Sequence, residues 1–298
     1  MPVRDHKILV RVLLCPSHTI GTPSGTQPNL FLNPTNSKTM KYINIFTIST
    51  VALLFPAALT NSSAAPGTID WNAAPEKGFV LLELFTSEGC SSCPAADELM
   101  VRMQKESQEQ DLYILTYHVD YWDRLGWRDA FSSPQFSQRQ RKYAQWLGDP
   151  QIYTPQLVIN GKSSCVGSDE VTIKAAEKNA RSTSATSVIS VQGRQVKERM
   201  IFKYRLKGSN DPSQLLIAVV QKHAVTKVKR GENGGRTLSH VQVVRSLSSF
   251  DVPGSGEGEQ SIMLPEGFNT QYWEIIAMIQ NAESGEIAAV TRVELDND

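Results

Sequence analysis

The strongest constraint on how this chain folds is the run FVLLELFT (79–86), an almost unbroken apolar segment followed directly by SEGCSSCPAADELMVRMQK. Apolar residues at successive positions offer both faces of a strand to a core, as happens when helices cover both sides of a parallel sheet. Pro94 then opens a segment with Leu99, Met100 and Met103 at helical spacing. Proline fits the first turn because its missing N–H has no partner there anyway. Between strand and helix lie Cys90 and Cys93.

The alternation continues. LYILTYHV (112–119) predicts a second strand and DYWDRLGWRDAFSS (120–133) an irregular, aromatic-rich stretch. PQFSQRQRKYAQWLG (134–148) reads as a helix, QLVIN (156–160) as a strand, and Asn160 with Gly161 as a hairpin turn. KSSCV (162–166) is the returning strand, and DEVTIKAAEKNAR (169–181) a helix that Ser168 would cap. The order β-α-β-α-β-β-α predicts an α/β domain over 75–182. STSATS (182–187) reads as a polar linker. Beyond it, short strands recur near 187–193, 198–206, 214–222, 238–246, 259–264, 271–280 and 286–294. That pattern predicts an all-β, sandwich-like carboxyl-terminal domain over 187–298. The loop KVKRGENGGR (227–236) lacks the glycine spacing of a nucleotide-binding loop and is expected to be a solvated hairpin loop.

Residues 41–65, KYINIFTISTVALLFPAALTNSSAA, have the form of a secretory signal: a positive start, a charge-free apolar run and small residues at the end. The expected signal peptide is 40–65, and Met40 marks an alternative start, with 1–39 an over-called or disordered leader. The expected location is periplasmic or extracellular, with membrane contact only through this segment if it is uncleaved. Five of the thirty Lys/Arg but only one of the thirty Asp/Glu precede residue 66. The remainder is therefore mildly acidic and carries no electrostatic footprint for nucleic acid. Of the four cysteines, Cys15 lies upstream of the signal, leaving Cys90, Cys93 and Cys165. An odd number in an oxidising compartment leaves one thiol unpaired, or implies pairing that changes in use.

Sequence order also predicts a convergence. Parallel strands joined by right-handed crossovers end at one edge of a sheet, where open α/β sheets place their ligands. The CSSC loop follows the first strand, and His118, Asp120 and Trp122 follow the second. An antiparallel third strand begins at that edge, with Tyr153, Thr154 and Pro155. Three segments distant in sequence are expected to meet there.

These residues resemble the thioredoxin superfamily: a CxxC at a helix start and a Thr-Pro pair before an antiparallel strand. The segments ELFTSEGCSSCPAAD, HVDYWDRLGW, RQRKYA and YTPQLVING are also similar to an exported family catalogued as domain of unknown function 1223, as is RGENGGRTLSH (230–240). The resemblance implies a thioredoxin-like domain, with Pro155 cis and packed against the cysteines. It implies no particular substrate.

The CSSC pair admits three readings. As a redox pair, Cys90 would be exposed before the helix, its thiolate favoured by helix N–H groups, and Cys93 would be the shielded resolving thiol. Glu88, Asp97 and Glu98 oppose a thiolate, and Ser91 and Ser92 bring no cation to offset them. As a metal clip, CxxC supplies two ligands where structural zinc takes four, although a copper(I) site of two or three sulfurs is conceivable. The third reading is a structural disulfide. Around the pair, Glu83 is a carboxylate inside an apolar strand and a candidate proton relay, as the resemblance implies for an acid on this strand. His118 and Asp120 are candidates to face the CSSC loop, and Trp122 to wall a groove. Thr154 with Pro155 would hold an extended substrate by backbone hydrogen bonds. Arg139 and Arg141 are expected to pair with Asp120, Asp123 or Asp129. Cys165 is either a buried small hydrophobe or a third thiol.

The resulting expectation is an exported thiol–disulfide oxidoreductase with Cys90 as nucleophile and Cys93 as resolving thiol. Its partners would be protein or small-molecule thiols and disulfides, without cofactor or metal. The alternative is a binding module or copper(I) carrier using the same cysteines.

Overall fold

Strand β1 (Val80–Thr86) is buried at every position, as its unbroken apolar run requires. Even-numbered Val80, Leu82 and Leu84 point into one core; Leu81 and Phe85 point into another on the opposite face. The computed structural model describes residues 78–107, 111–208 and 212–295, all within the unit Ala64–Asp298. The leader and signal segments expected over 1–65 lie outside the described residues.

After β1 come α1 (Cys93–Glu106), β2 (Leu112–His118), a 3-10 turn at Asp123–Leu125, α2 (Pro134–Trp146), β3 (Gln156–Ile159), β4 (Ser163–Val166) and α3 (Glu170–Ser182). The proline at the first turn of α1 and of α2 sits where its absent N–H costs nothing. At α2, Ser133 caps the helix by accepting from the Gln135 amide. Five long strands follow: β5 (Val188–Val196), β6 (Arg199–Lys207), β7 (Ser213–Lys227), β8 (Thr237–Asp251) and β9 (Glu257–Met263). The chain then completes β10 (Trp273–Asn281), β11 (Ile287–Arg292) and the short β12 (Glu294–Leu295).

The order of elements over 75–182 is as read from the sequence, but the fold class is not. An α/β thioredoxin-like domain followed by a separate all-β sandwich is overturned by the strand pairing. One eight-stranded mixed sheet runs β11-β10-β7-β8-β2-β1-β3-β4, and a four-stranded mixed sheet runs β12-β5-β6-β9. Strand β8 lies beside β2, joined by the parallel pairing of Thr116 with Val243 and by a 2.8 Å hydrogen bond from the Thr116 hydroxyl to the Val241 carbonyl. The molecule is therefore mostly β, with three α-helices among the described residues.

Packing explains the union. In β7, Leu216, Ala218 and Val220 share a core with Phe85, Tyr117, Phe136 and Tyr143, so α2 sits over strands from both halves of the chain. Leu215, Ile217 and Val219 point the other way, onto Val191, Phe202 and Ile262 of the four-stranded sheet. The run LLIAVV is apolar throughout because both its faces are covered. The segment read as a linker, 182–187, joins α3 directly to β5.

Between His240 and Arg245, strand β8 is irregular. Gln242 has φ of 54° and the pairing with β7 shifts register opposite Val219 and Val220. A non-glycine residue held in the left-handed region inside a strand marks a bulge that re-aims its neighbours.

Candidate disulfide site

Cys90 and Cys93 are joined by a disulfide, and the Cys93 amide donates to the Cys90 carbonyl at 3.2 Å. Three segments do meet at this point. The Thr154–Pro155 peptide is cis, and the Thr154 carbonyl oxygen lies 3.8 Å from Cys90 Sγ. The Ser92 hydroxyl donates to that carbonyl at 3.4 Å, and the Trp122 indole N–H donates to the Thr154 hydroxyl at 2.8 Å. The sequence thus brings Cys90, Cys93, Trp122, Thr154 and Pro155 together.

Cys90 was expected to be exposed, and here the structure corrects the reading. Cys90 is 1% exposed and Cys93 fully buried, whereas Ser91 and Ser92 face solvent. The cover comes from the loop between β7 and β8, which was expected to be solvated. Asn233, itself buried, donates its side-chain amide to the carbonyls of Glu88 and Cys90, each at 2.9 Å. Glu232 accepts from the Ser91 amide at 2.9 Å, and the Ser91 side chain together with that amide holds its carboxyl below the usual range. Gly231 has φ of 78°, and a Cβ there would stand 3.2 Å from Trp127 Cβ, so the loop seats closely on the chain at Trp127.

Glu83 is not beneath Cys93. It shares a face with Leu81 and Phe85, on the α2 side of the sheet, whereas α1 covers the opposite face. There it forms a buried ion pair with Arg139 (Nη2 to Oε1, 2.6 Å) and accepts from the Tyr143 hydroxyl. Arg139 also donates to Gln280 at 3.1 Å. Burial works against the Arg139 charge, but Glu83 outweighs it and holds the guanidinium firmly protonated. Glu83 therefore belongs to a packed network and not to the disulfide. Arg139 pairs with it, and not with Asp120, Asp123 or Asp129.

Asp120 also turns away: it accepts from the Ser137 hydroxyl of α2, which in turn accepts from the Asp120 amide. Cys165 is a free, half-buried thiol on β4, two strands from β1. Burial, with the charge of Asp169, pushes its pKa up to about 11. It is not brought to the disulfide.

His118 is fully buried and belongs to a cluster that local sequence reading did not assemble. Its Nδ1 is 2.7 Å from Asp129 Oδ2, and its ring meets that of His240 edge-on at 4.7 Å. Burial raises the Asp129 pKa, but His118 and the amides of Glu88 and Phe131 outweigh it and hold the carboxyl below its ordinary value. His240 Nε2 lies 3.6 Å from Glu88 Oε1, and its Nδ1 lies 3.5 Å from Asp97 Oδ2. Those separations are ion-pair contacts, too long for good hydrogen bonds. Burial lowers the His240 pKa, yet Asp97 and Glu88 outweigh it and raise it to about 10. The Trp127 indole N–H fixes the other Glu88 oxygen at 2.7 Å. The cation that offsets Glu88 and Asp97 is thus His240, supplied from β8. The signal for it lay in RGENGGRTLSH, whose last residue is His240.

The chain has known relatives. A family described as a protein of unknown function (DUF1223) matches residues 81–280, and the chain belongs to that family. No curated protein matches the chain. Among solved structures, protein AGR_C_4864 of Agrobacterium tumefaciens is 23% identical and covers 76% of this chain and 98% of its own, with a TM-score of 0.58. That likeness is one of fold. A domain of the outer membrane lipoprotein Omp28 of Porphyromonas gingivalis is 10% identical over 38% of this chain and 89% of its own, with a TM-score of 0.27, too low to support an argument.

Proposed function

We propose that the protein is an exported thiol–disulfide oxidoreductase whose redox couple is Cys90 and Cys93. The observation that carries this reading is the disulfide itself, placed at the start of α1 against the Thr154–Pro155 peptide. Closing so short a loop restrains the unfolded chain by only about 2 kcal/mol, against about 3 for a fifteen-residue loop. A CxxC bond at a helix start, beside buried ionisable groups, suits exchange chemistry.

The reaction is exchange. A substrate thiolate attacks Cys90 Sγ, a substrate–Cys90 bond forms, the Cys90–Cys93 bond breaks, and its electron pair leaves on Cys93. A second substrate thiol then displaces Cys90, so the substrate dithiol is oxidised and the protein disulfide reduced. The same steps in reverse reduce a substrate disulfide. Attack requires the 228–236 loop to move. One of its clasps, from Glu232 to the Ser91 amide, is solvent-exposed, and such contacts are worth little in water. The movement opens Cys90 while α1 and the sheet stay in place.

The test is disulfide transfer to a reduced peptide dithiol, and insulin reduction, by the full chain and by Cys90→Ser and Cys93→Ser. The reading predicts activity lost in Cys90→Ser and a trapped mixed disulfide in Cys93→Ser. Equal activity in wild type and Cys90→Ser would remove it. Stoichiometric retention of copper(I) by the reduced chain, lost in Cys93→Ser, would favour a metal carrier in its place.

A further inference from the structure

Five ionisable side chains from five separate segments are buried together beside the disulfide loop: Glu88, Asp97, His118, Asp129 and His240. Few features of a folded chain are as costly as charges out of water, and they persist where they are paired or used. These are only partly paired. Glu88 Oε1, Asp97 Oδ1, His118 Nε2 and both His240 ring nitrogens have no hydrogen-bond partner. Beside them, buried Gln242 is held at φ of 54° with its Oε1 also unpartnered. A strained backbone at Gln242 and unsatisfied buried groups on several elements mark a place held for something other than stability.

The connection to the disulfide runs through both arms of the cluster. Asp97, against His240 Nδ1, lies one helical turn beyond Cys93 on the buried face of α1. Glu88, against His240 Nε2, lies two residues before Cys90, and its carbonyl shares the Asn233 amide with that of Cys90. When the disulfide opens, the electron pair falls on Cys93, which is fully buried and one helical turn from Asp97. A thiolate there is disfavoured by burial and by like charge. It needs a proton, and bulk water is not in contact with it.

We propose that His240, held by Glu88 and Asp97 and backed by His118 and Asp129, is the proton store of the Cys90–Cys93 couple. This rests on the redox reading above and deepens it. As the Cys90–Cys93 bond breaks, a proton moves from His240 by way of the Asp97 carboxylate to Cys93 Sγ. His240 becomes neutral and regains a proton from solvent when the loop is open. In the reverse direction His240 first releases its proton to solvent while the loop is open and then receives the Cys93 proton, leaving the thiolate that resolves a mixed disulfide. His240 is a positioning and proton-holding residue; it does not touch the substrate. The titratable groups that face it are Glu88 from the loop after β1, Asp97 from α1, His118 from β2 and Asp129 from the loop before α2. Arg245 of β8 stands behind Phe131, its guanidinium 5.0 Å from that ring and within the field of Asp129.

The experiment follows the rate at which dithiothreitol opens the native disulfide of the full chain from pH 6 to pH 11, with wild type, His240→Gln and Asp97→Asn. In wild type the rate should rise with the dithiothreitol thiolate and then fall near the point where His240 loses its proton. At pH 7, His240→Gln should be about 100-fold slower or more, the lower end of the range expected when a positioned acid is lost, and should lack the falling limb. Asp97→Asn is nearly isosteric and guards against a folding defect. Because the relay passes through that carboxylate, it should slow opening at pH 7 as much as His240→Gln does and lose the falling limb, a change that a purely packing role would not produce. Opening of the His240→Gln disulfide at the wild-type rate, with the same alkaline limb, would overturn this proposal and leave the redox reading intact. Failure of dithiothreitol to open the native wild-type disulfide would overturn both.

Discussion

The side-chain amide of Asn233 donates to the backbone carbonyl of Cys90 at 2.9 Å, tying the far end of the β7–β8 connection to the disulfide loop. The same amide serves the Glu88 carbonyl, and Asn233 Oδ1 accepts from Arg236, so every polar atom of a buried side chain is used. Removing it leaves two carbonyls without their donor. Asn233→Ala should destabilise the fold by about 2 kcal/mol, the scale of unsatisfied buried acceptors. It should also speed dithiothreitol reduction of the native disulfide about tenfold by loosening the cover. Urea denaturation and timed alkylation check the two effects.

Glu83 and Arg139 should matter for stability and not for exchange, because they lie on the face of the sheet away from α1. Arg139→Ala strands a buried carboxylate and should cost about 3–5 kcal/mol. Disulfide transfer per folded molecule should remain within twofold of wild type. A selective loss of transfer in a folded Glu83→Gln protein would restore the proton-relay role first considered for that residue.

The pH dependence of stability has a definite sign on each side. The His240 pKa is raised from 6.5 to about 10 on folding, so its contribution is complete below 6.5 and is lost as pH rises toward 10. Asp129 is the reverse case: its lowered pKa makes its contribution complete above the ordinary carboxylate range and lost in acid. Urea denaturation between pH 6.5 and 10 should show stability falling by up to about 1.4 kcal/mol per pH unit, the limit for one proton. His240→Gln should flatten that limb. A wild-type curve already flat would contradict the assigned pairing.

Cys165 should be a bystander. Its thiol is pushed up to about 11 and sits two strands from β1. Cys165→Ser should leave disulfide transfer unchanged, and the wild-type thiol should react with iodoacetamide at pH 7 more slowly than a free cysteine, as mass spectrometry would report.

Local pattern carried much of the architecture. The unbroken run of β1, the prolines of α1 and α2, and the recurring strands now seen as β5 to β11 are written in spacings of a few residues. What local pattern did not carry is which strand lies beside which. One register position joins β2 to β8, and the shared core of Phe85, Tyr143, Leu216 and Met278 depends on contacts between distant segments. Alternation put Glu83 on the face of Leu81 and Phe85, yet no spacing states which helix covers that face. The meeting of Cys90, Trp122 and Thr154 was legible because strand direction alone brings loop ends to one edge. His240 was not, since it arrives from a strand that local reading assigned to another domain.

The most direct test of the central claim is to hold the folded protein in glutathione redox buffers of graded poise and count alkylated cysteines by mass spectrometry, with circular dichroism recorded on the same samples. The account predicts that Cys90 and Cys93 gain and lose two alkyl groups together, reversibly, while the native spectrum persists. If the pair becomes alkylated only at the rate of global unfolding, the disulfide is a fixed part of the fold and the account is wrong.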